Sequence, residues 1–195
     1  MKKTTGEAAF EDFCQANGLA VEPIEEGVEP TPDYLVWVDG LRIYVEVKQI
    51  DEDENFSSTR QFRTPGTHVR AKINQARNQL RSASQQGFPT VLLVFNNLDP
   101  VQRFGTEQHD FLAAMYGELT VHISRTRGTN AALVHDRNQS FREGKNESFS
   151  AVGWLYKGRD AIAVHLYENI YSHVALDFAA LPPCIEFNRV GIEYA

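Results

Sequence analysis

The chain is short of cysteine and of long apolar runs, and each shortage narrows what it can be. Cys14 and Cys184 are its only two cysteines, too few for a disulfide scaffold or a cysteine-based zinc site. No apolar run approaches the ~20 residues that cross a bilayer. Met1-Lys2-Lys3 leads into polar residues rather than an apolar segment. These features lead us to expect a cytoplasmic protein with reduced thiols and no membrane partner. A Gly-rich phosphate loop and an internal repeat are also missing, so nucleotide-dependent chemistry has no support. His68, His109, His122, His135, His165 and His173 fall at no metal-ligand spacing and are expected to be structural or exposed. Cationic excess is absent too. A net charge of −7 argues against general nonspecific affinity for nucleic acid, while leaving room for a local basic surface. At 195 residues, 42% of them hydrophobic, one domain with a substantial core is expected. We divide it into a core over 5–97 and a C-terminal elaboration over 98–195.

What is present centres on residues 32–48. Two alternating segments, Tyr34–Val38 and Leu41–Lys48, flank Asp39-Gly40, a strong signal for a two-residue hairpin turn of type I′. That turn pairs Val38 with Leu41 and gives every cross-strand couple numbers that sum to 79. One face then carries Tyr34, Val36 and Val38 against Leu41, Ile43 and Val45, an apolar surface suited to a core. The other carries Asp33, Leu35 and Trp37 against Arg42, Tyr44 and Glu46, with Lys48 one step on. Asp33 falls opposite Glu46. Like charges at such positions, with Cβ atoms roughly 4.5–5.5 Å apart, destabilise a sheet unless a cation lies between them or one is protonated.

The flanking elements follow from periodicity. Residues 5–17 read as a helix capped by Thr4 or Thr5, with Phe10, Phe13 and Cys14 as its apolar stripe and Asn17-Gly18 at its end. Glu7 and Glu11 lie near Phe10 and Cys14 around the helix, so either glutamate could border the buried face. Residues 19–24 read as an edge strand. Asp51-Glu52-Asp53-Glu54 is a solvated acidic loop with an outside claim to a metal. From Asn55 through Asn97 there is no acidic residue, while Arg60, Arg63, Arg70, Lys72, Arg77 and Arg81 are all present. A helix over 68–84, with Val69, Ile73, Ala76 and Leu80 as its buried stripe, carries most of this charge. Such a basic face beside an acidic site fits an anionic polymer, whose phosphates its cations would neutralise. Pro89–Phe95 is a continuous apolar run, as expected of a central strand buried on both faces. Beyond residue 99 a helix over 110–117 and strands over 119–123, 131–135, 150–156 and 162–167 are expected to enlarge the sheet. The polar loop over 136–147, with Arg137, Arg142 and Lys145, is a surface loop within reach of a substrate.

Pro32-Asp33 followed by Glu46-Val47-Lys48 resembles the active-site signature of the PD-(D/E)XK nuclease superfamily. The motif covers residues 32–48 and its flanking pattern extends to about residue 95; the second half of the chain carries no comparable match. The resemblance implies an α/β, restriction-endonuclease-like core, a mixed sheet flanked by helices, with extra strands in the C-terminal half. It implies a divalent-metal-dependent endonuclease acting on DNA. Asp33, Glu46 and the Val47 carbonyl would ligate Mg²⁺, with Mn²⁺ as a substitute, and Lys48 would serve the attacking water. In this superfamily a first-helix glutamate often completes the acidic cluster, at a position matching Glu7. The following helix often adds a glutamine or lysine, here Gln75, Gln79 or Lys72. A non-cleaving DNA-binding subunit of the same fold is the alternative. The sequence leaves the DNA structure, RNA acceptance and a possible homodimer open.

Overall fold

The computed structural model describes residues 3–25, 27–51, 64–99, 101–123, 131–159 and 161–190. Helix α1 (Thr5–Ala16) begins at Thr4 in a reciprocal cap: the Thr4 hydroxyl accepts the Glu7 N–H at 3.1 Å, and the Glu7 carboxylate accepts the Thr4 N–H at 2.6 Å. Edge strand β1 (Ala20–Pro23) pairs antiparallel with β2 (Tyr34–Val38). Asp39 and Gly40 have φ of 46° and 84°, both positive as a type I′ turn requires, and lead into β3 (Leu41–Ile50). The β2–β3 register runs from Tyr34 opposite Val45 to Val38 opposite Leu41, the expected pairing. Helix α2 (Thr67–Gln85) then crosses over to β4 (Thr90–Asn96), parallel to β3.

After β4 the chain forms α3 (Gln108–Tyr116) and a hairpin of β5 (Leu119–Ile123) with β6 (Ala131–His135). β7 (Ala151–Lys157) returns parallel to β4, β8 (Ile162–Glu168) runs antiparallel to β7, and β9 (Ile185–Asn188) lies parallel to β8. The result is an α/β architecture: a mixed seven-stranded sheet in the order β1-β2-β3-β4-β7-β8-β9, with helices on both faces.

Each face of the sheet holds its own core. Val45, Val47, Val91, Leu93 and Phe95 pack with Phe10, Phe13 and Cys14 of α1. Ile50, Leu92 and Val94 pack with Val69, Ile73, Ala76 and Leu80 of α2 and Phe111 and Met115 of α3. All seven residues of β4 are buried, which is why its sequence is apolar without alternation. The expected α2 stripe is buried in full.

Three strands differ from expectation. Among the described residues, β5 and β6 do not extend the main sheet and pair with each other. The place beside β4 is taken by β7, whose Ala151–Leu155 meets Val91–Phe95, and Leu119 and Val121 of β5 stay exposed. β9 was not anticipated, because its four residues, Ile-Glu-Phe-Asn, are too short to show a period. Three of the seven strands follow residue 98, and Phe111, Phe141, Val152, Leu166 and Phe178 belong to the two cores.

The start of α2 is fixed against α3 at Gly66. Its φ is +76°, its N–H donates to the Asp110 carboxylate at 2.9 Å, and a Cβ there would sit 2.6 Å from the Ala114 nitrogen. Gly66→Ala therefore adds both backbone strain and a clash with main chain that cannot swing aside. It should destabilise the fold by at least about 2 kcal/mol, read as a lower urea midpoint. A change within about 0.5 kcal/mol, the range of an ordinary surface substitution, would remove this anchor from the account.

Candidate active site

The pleat determines what meets at the top of the hairpin. Glu46 and Lys48 lie two apart on β3 and project to one face, beside Leu92 and Val94 of β4. Asp33 precedes β2, and the Asp33 carbonyl leaves the hairpin to accept the Ile24 N–H at 2.9 Å. Its carboxylate accepts the Val47 N–H at 2.8 Å instead. Asp33 thereby ends the β2–β3 ladder with its side chain. That bond holds it against the strand that carries Glu46 and Lys48.

Asp33, Glu46, Val47 and Lys48 border one cleft of about 510 Å³, together with Glu7 from α1 and Lys72, Gln75 and Gln79 from α2. Glu46 is 1% exposed. Its Oε1 forms an ion pair with the Lys48 ammonium, while Oε2 is buried and has no hydrogen-bond partner. Burial raises its pKa to about 7, and the neighbouring Asp33 charge adds to the rise; the Lys48 ammonium and the Asp33 backbone oppose it. The Val47 side chain packs in the core beneath α1. Gln79 is the other cleft residue with a buried, unpartnered oxygen, Oε1. Gln75 is exposed.

The two α1 glutamates separate in space. Glu7 lines the cleft, with Oε2 engaged in the Thr4 cap. Glu11 lies outside it, bound to Lys3 and to the Tyr34 hydroxyl at 3.1 Å. The close approach of α1 depends on Gly6, where a Cβ would lie 3.0 Å from the Phe95 Cβ. The Gly6 N–H donates to Gln49 Oε1 at 2.8 Å, and Gln49 Nε2 donates to Asp51 at 2.6 Å. Sequence reading passed over Gln49. Its odd position on β3, on the α1 side of the sheet, is the signal that could have found it. Asp51 is held by Gln49 and by Asn97, whereas residues 52–54 lie outside the described residues.

The basic segment does not act as one surface. Arg60 and Arg63 lie outside the described residues. Lys72 and Gln79 border the cleft. Arg70 is drawn into structure: Nε donates to the Asn138 carbonyl at 2.9 Å and Nη2 to the Ala113 carbonyl at 3.0 Å. Arg77 and Arg81 face a separate depression.

Among the described residues, Glu107, His109 and Asp110 form the one tight trio of metal-capable groups, within 4.8 Å, which no histidine spacing had suggested. Both Asp110 oxygens are already engaged, by the N–H groups of Gly66 and Glu107, so the trio is accounted for as the start of α3. Glu7, Asp33 and Glu46 line their cleft without closing into so tight a group. Compared with family models, curated proteins and solved structures, the chain matches none.

Glu46 keeps its proton up to about pH 7 in the folded chain against an ordinary value of 4.5. The native state therefore binds more protons than the unfolded state between those limits, and stability falls as pH rises through that window. Glu46→Gln resembles the protonated side chain. It should be more stable than wild type above neutrality and lose the advantage toward pH 4.5, by on the order of 2–3 kcal/mol. Urea unfolding of both proteins at the two ends of the window measures it. Parallel pH profiles would contradict the raised pKa.

Proposed function

We propose that the chain is a divalent-metal-dependent nuclease with a restriction-endonuclease-like core that hydrolyses phosphodiester bonds in DNA. The observation that carries this reading is the meeting of Asp33, Lys48 and a buried Glu46 with one unpartnered oxygen in an open cleft. A buried carboxylate oxygen without a donor costs free energy, and a cation would relieve it. The donor set is all oxygen, which suits a hard ion such as Mg²⁺ or Mn²⁺. Asp33, Glu46 and the Val47 carbonyl would hold it, with Glu7 nearby. When bound, such an ion supplies a water of lowered pKa and charge relief at the phosphate.

The chain's own groups do the rest. The Lys48 ammonium orients the attacking water and offsets charge on the phosphate oxygens. Lys72, Gln75 and Gln79 line the same cleft from α2 and hold the strand against it. Water forms the new P–O bond, and the departing ester oxygen takes up a proton.

One observation favours the second reading, a DNA-binding subunit that does not cut. Asp33 already spends an oxygen on the Val47 N–H and Glu7 one on its helix cap, so both carboxylates have structural work without any metal. Purified protein incubated with supercoiled plasmid, linear duplex, single strands and branched DNA, in Mg²⁺, Mn²⁺ or EDTA, separates the two readings. Asp33→Asn, Glu46→Gln and Lys48→Ala should each remove nearly all metal-dependent cutting while the fold persists. Wild-type cutting by Lys48→Ala would overturn its assigned role. Metal-independent DNA binding without cutting by the wild type would favour the subunit.

Thermal melts test the ion apart from activity. At a Mg²⁺ concentration ten times its dissociation constant, wild type should gain about 1.4 kcal/mol, a melting shift of roughly 3–6 °C for a domain of this size. Asp33→Asn should lose most of that gain and, above pH 7 where Glu46 is ionised, be slightly more stable than wild type in EDTA, since one of two neighbouring negative charges is gone. Equal Mg²⁺ shifts at matched ionic strength would sink the metal site.

A further inference from the structure

Across α2 from the cleft lies a second depression of about 620 Å³, lined by Arg77, Arg81, Lys145, Asn146, Glu147 and His173 among others. Its one carboxylate is spent: Glu147 Oε1 accepts the Gly144 N–H at 2.9 Å, and Oε2 meets His173 Nε2 at 2.7 Å. The cations are held by neutral groups instead. Arg77 Nε donates to Asn146 Oδ1 at 2.7 Å and Nη2 to Asn74 Oδ1 at 3.2 Å, while the Lys145 ammonium donates to the Gln139 carbonyl at 3.0 Å. Among the described residues no carboxylate forms an ion pair with Arg77, Arg81 or Lys145. A guanidinium fixed by amides keeps its charge and its fork for a phosphate. Positive charge converges here from both halves of the sequence: Lys145 is pushed below its ordinary pKa by burial and then by Arg142, Arg77 and Arg70.

We propose that this depression binds the phosphodiester backbone of the strand whose neighbouring phosphates occupy the cleft, an inference that rests on the nucleic-acid reading above. The geometry of α2 links the two. At roughly 100° per residue, the buried stripe of Val69, Ile73, Ala76 and Leu80 divides the helix into two flanks. Lys72, Gln75 and Gln79 fall on the cleft side, and Arg77 and Arg81 on the other. The exposed crest between them carries Ala71, Asn78 and Ser82, and α2 contains no acidic residue, so nothing on it repels a phosphate. A helix is about 10–12 Å across, and one strand of duplex DNA places a phosphate every ~3.4 Å of axis. About three phosphates therefore bridge the flanks, a span that a polymer covers and a single phosphate ion does not.

The test is fluorescence anisotropy of a labelled duplex, and of one of its strands, across a salt series in EDTA so that nothing is cut. Arg81 is exposed and forms no ion pair with a carboxylate among the described residues, so Arg81→Ala should leave the melting temperature unchanged. It should make the duplex salt slope less negative by about 0.9. Arg81→Ala with Lys145→Ala should remove about twice that, and Arg81→Glu should cost at least about tenfold in affinity at physiological salt, one unit in the logarithm of the constant. Unchanged slopes in variants of a wild type that does bind duplex would overturn this pocket and leave the nucleic-acid reading standing. A wild type that binds neither duplex nor single strand would overturn both. Calorimetric binding of inorganic phosphate that Arg81→Glu abolishes, with duplex affinity unaffected, would overturn the polymer and leave a small-anion site.

Discussion

The two-residue turn at Asp39-Gly40 is the constraint on which the cleft depends. Its positive φ values set the β2–β3 register, and a side-chain period of two makes that register all or nothing. A slip of β3 by one residue would send Ile43 and Val45 to the α2 face and turn Glu46 and Lys48 into the core beneath α1. Burial of Tyr34, Val36, Val38, Ile43 and Val45 penalises the slip, so the same apolar contacts that stabilise the hairpin aim its charged residues. Asp33 then takes the Val47 N–H with its own carboxylate, closing the end of the ladder next to Glu46.

Around that register the two helices have different tasks. α1 approaches so closely that a Cβ at position 6 would press on Phe95 and Val47, and Glu7 reaches the cleft while serving the helix cap. α2 approaches through a buried stripe and keeps both flanks for polar groups. Gly66 and Asp110 fix where α2 begins, and Arg70 ties its first turns to the carbonyls of Ala113 and Asn138. A guanidinium used this way is a strut rather than a ligand for an outside anion. This explains why positive charge counted along the sequence overstates what one surface can offer.

Local signals made much of this legible. The hairpin, its turn type and its register, the α2 stripe and the doubly buried β4 all follow from periods and turn chemistry within a dozen or so residues. The gathering of Asp33, Glu46 and Lys48 follows from them. What escaped depended on partners far off in sequence. β5 and β6 have ordinary strand sequences, but whether they join the sheet is decided by β7 occupying the edge of β4. Arg70 and Arg77 read as equivalent cations, yet one bonds α3 and the loop after β6 while the other bonds Asn146. The choice between Glu7 and Glu11 needed the position of Tyr34 and Lys3, both of which hold Glu11 away from the cleft.

The acidic balance of the chain and the proposed polyanionic substrate are compatible because electrostatics in salt is local. At physiological ionic strength the Debye length is about 8 Å, less than the width of a helix. A phosphate in the cleft or on the far flank of α2 is therefore governed by the side chains beside it, and the net charge of −7 contributes little. Within that range the crest of α2 is neutral, its far flank is cationic, and the cleft sets Lys48 and Lys72 against Glu7, Glu29, Asp33, Glu46 and Asp51. With these carboxylates ionised, the cleft carries a negative surplus. Glu46 lessens the conflict by holding a proton up to about pH 7. A divalent cation would reduce it further, so on this reading the ion helps admit the phosphate to the cleft as well as serving its hydrolysis. The far flank needs no such help, because its cations already lack acidic partners among the described residues. DNA binding without metal would therefore rest on Arg77, Arg81 and Lys145, and engagement of the cleft would follow the metal.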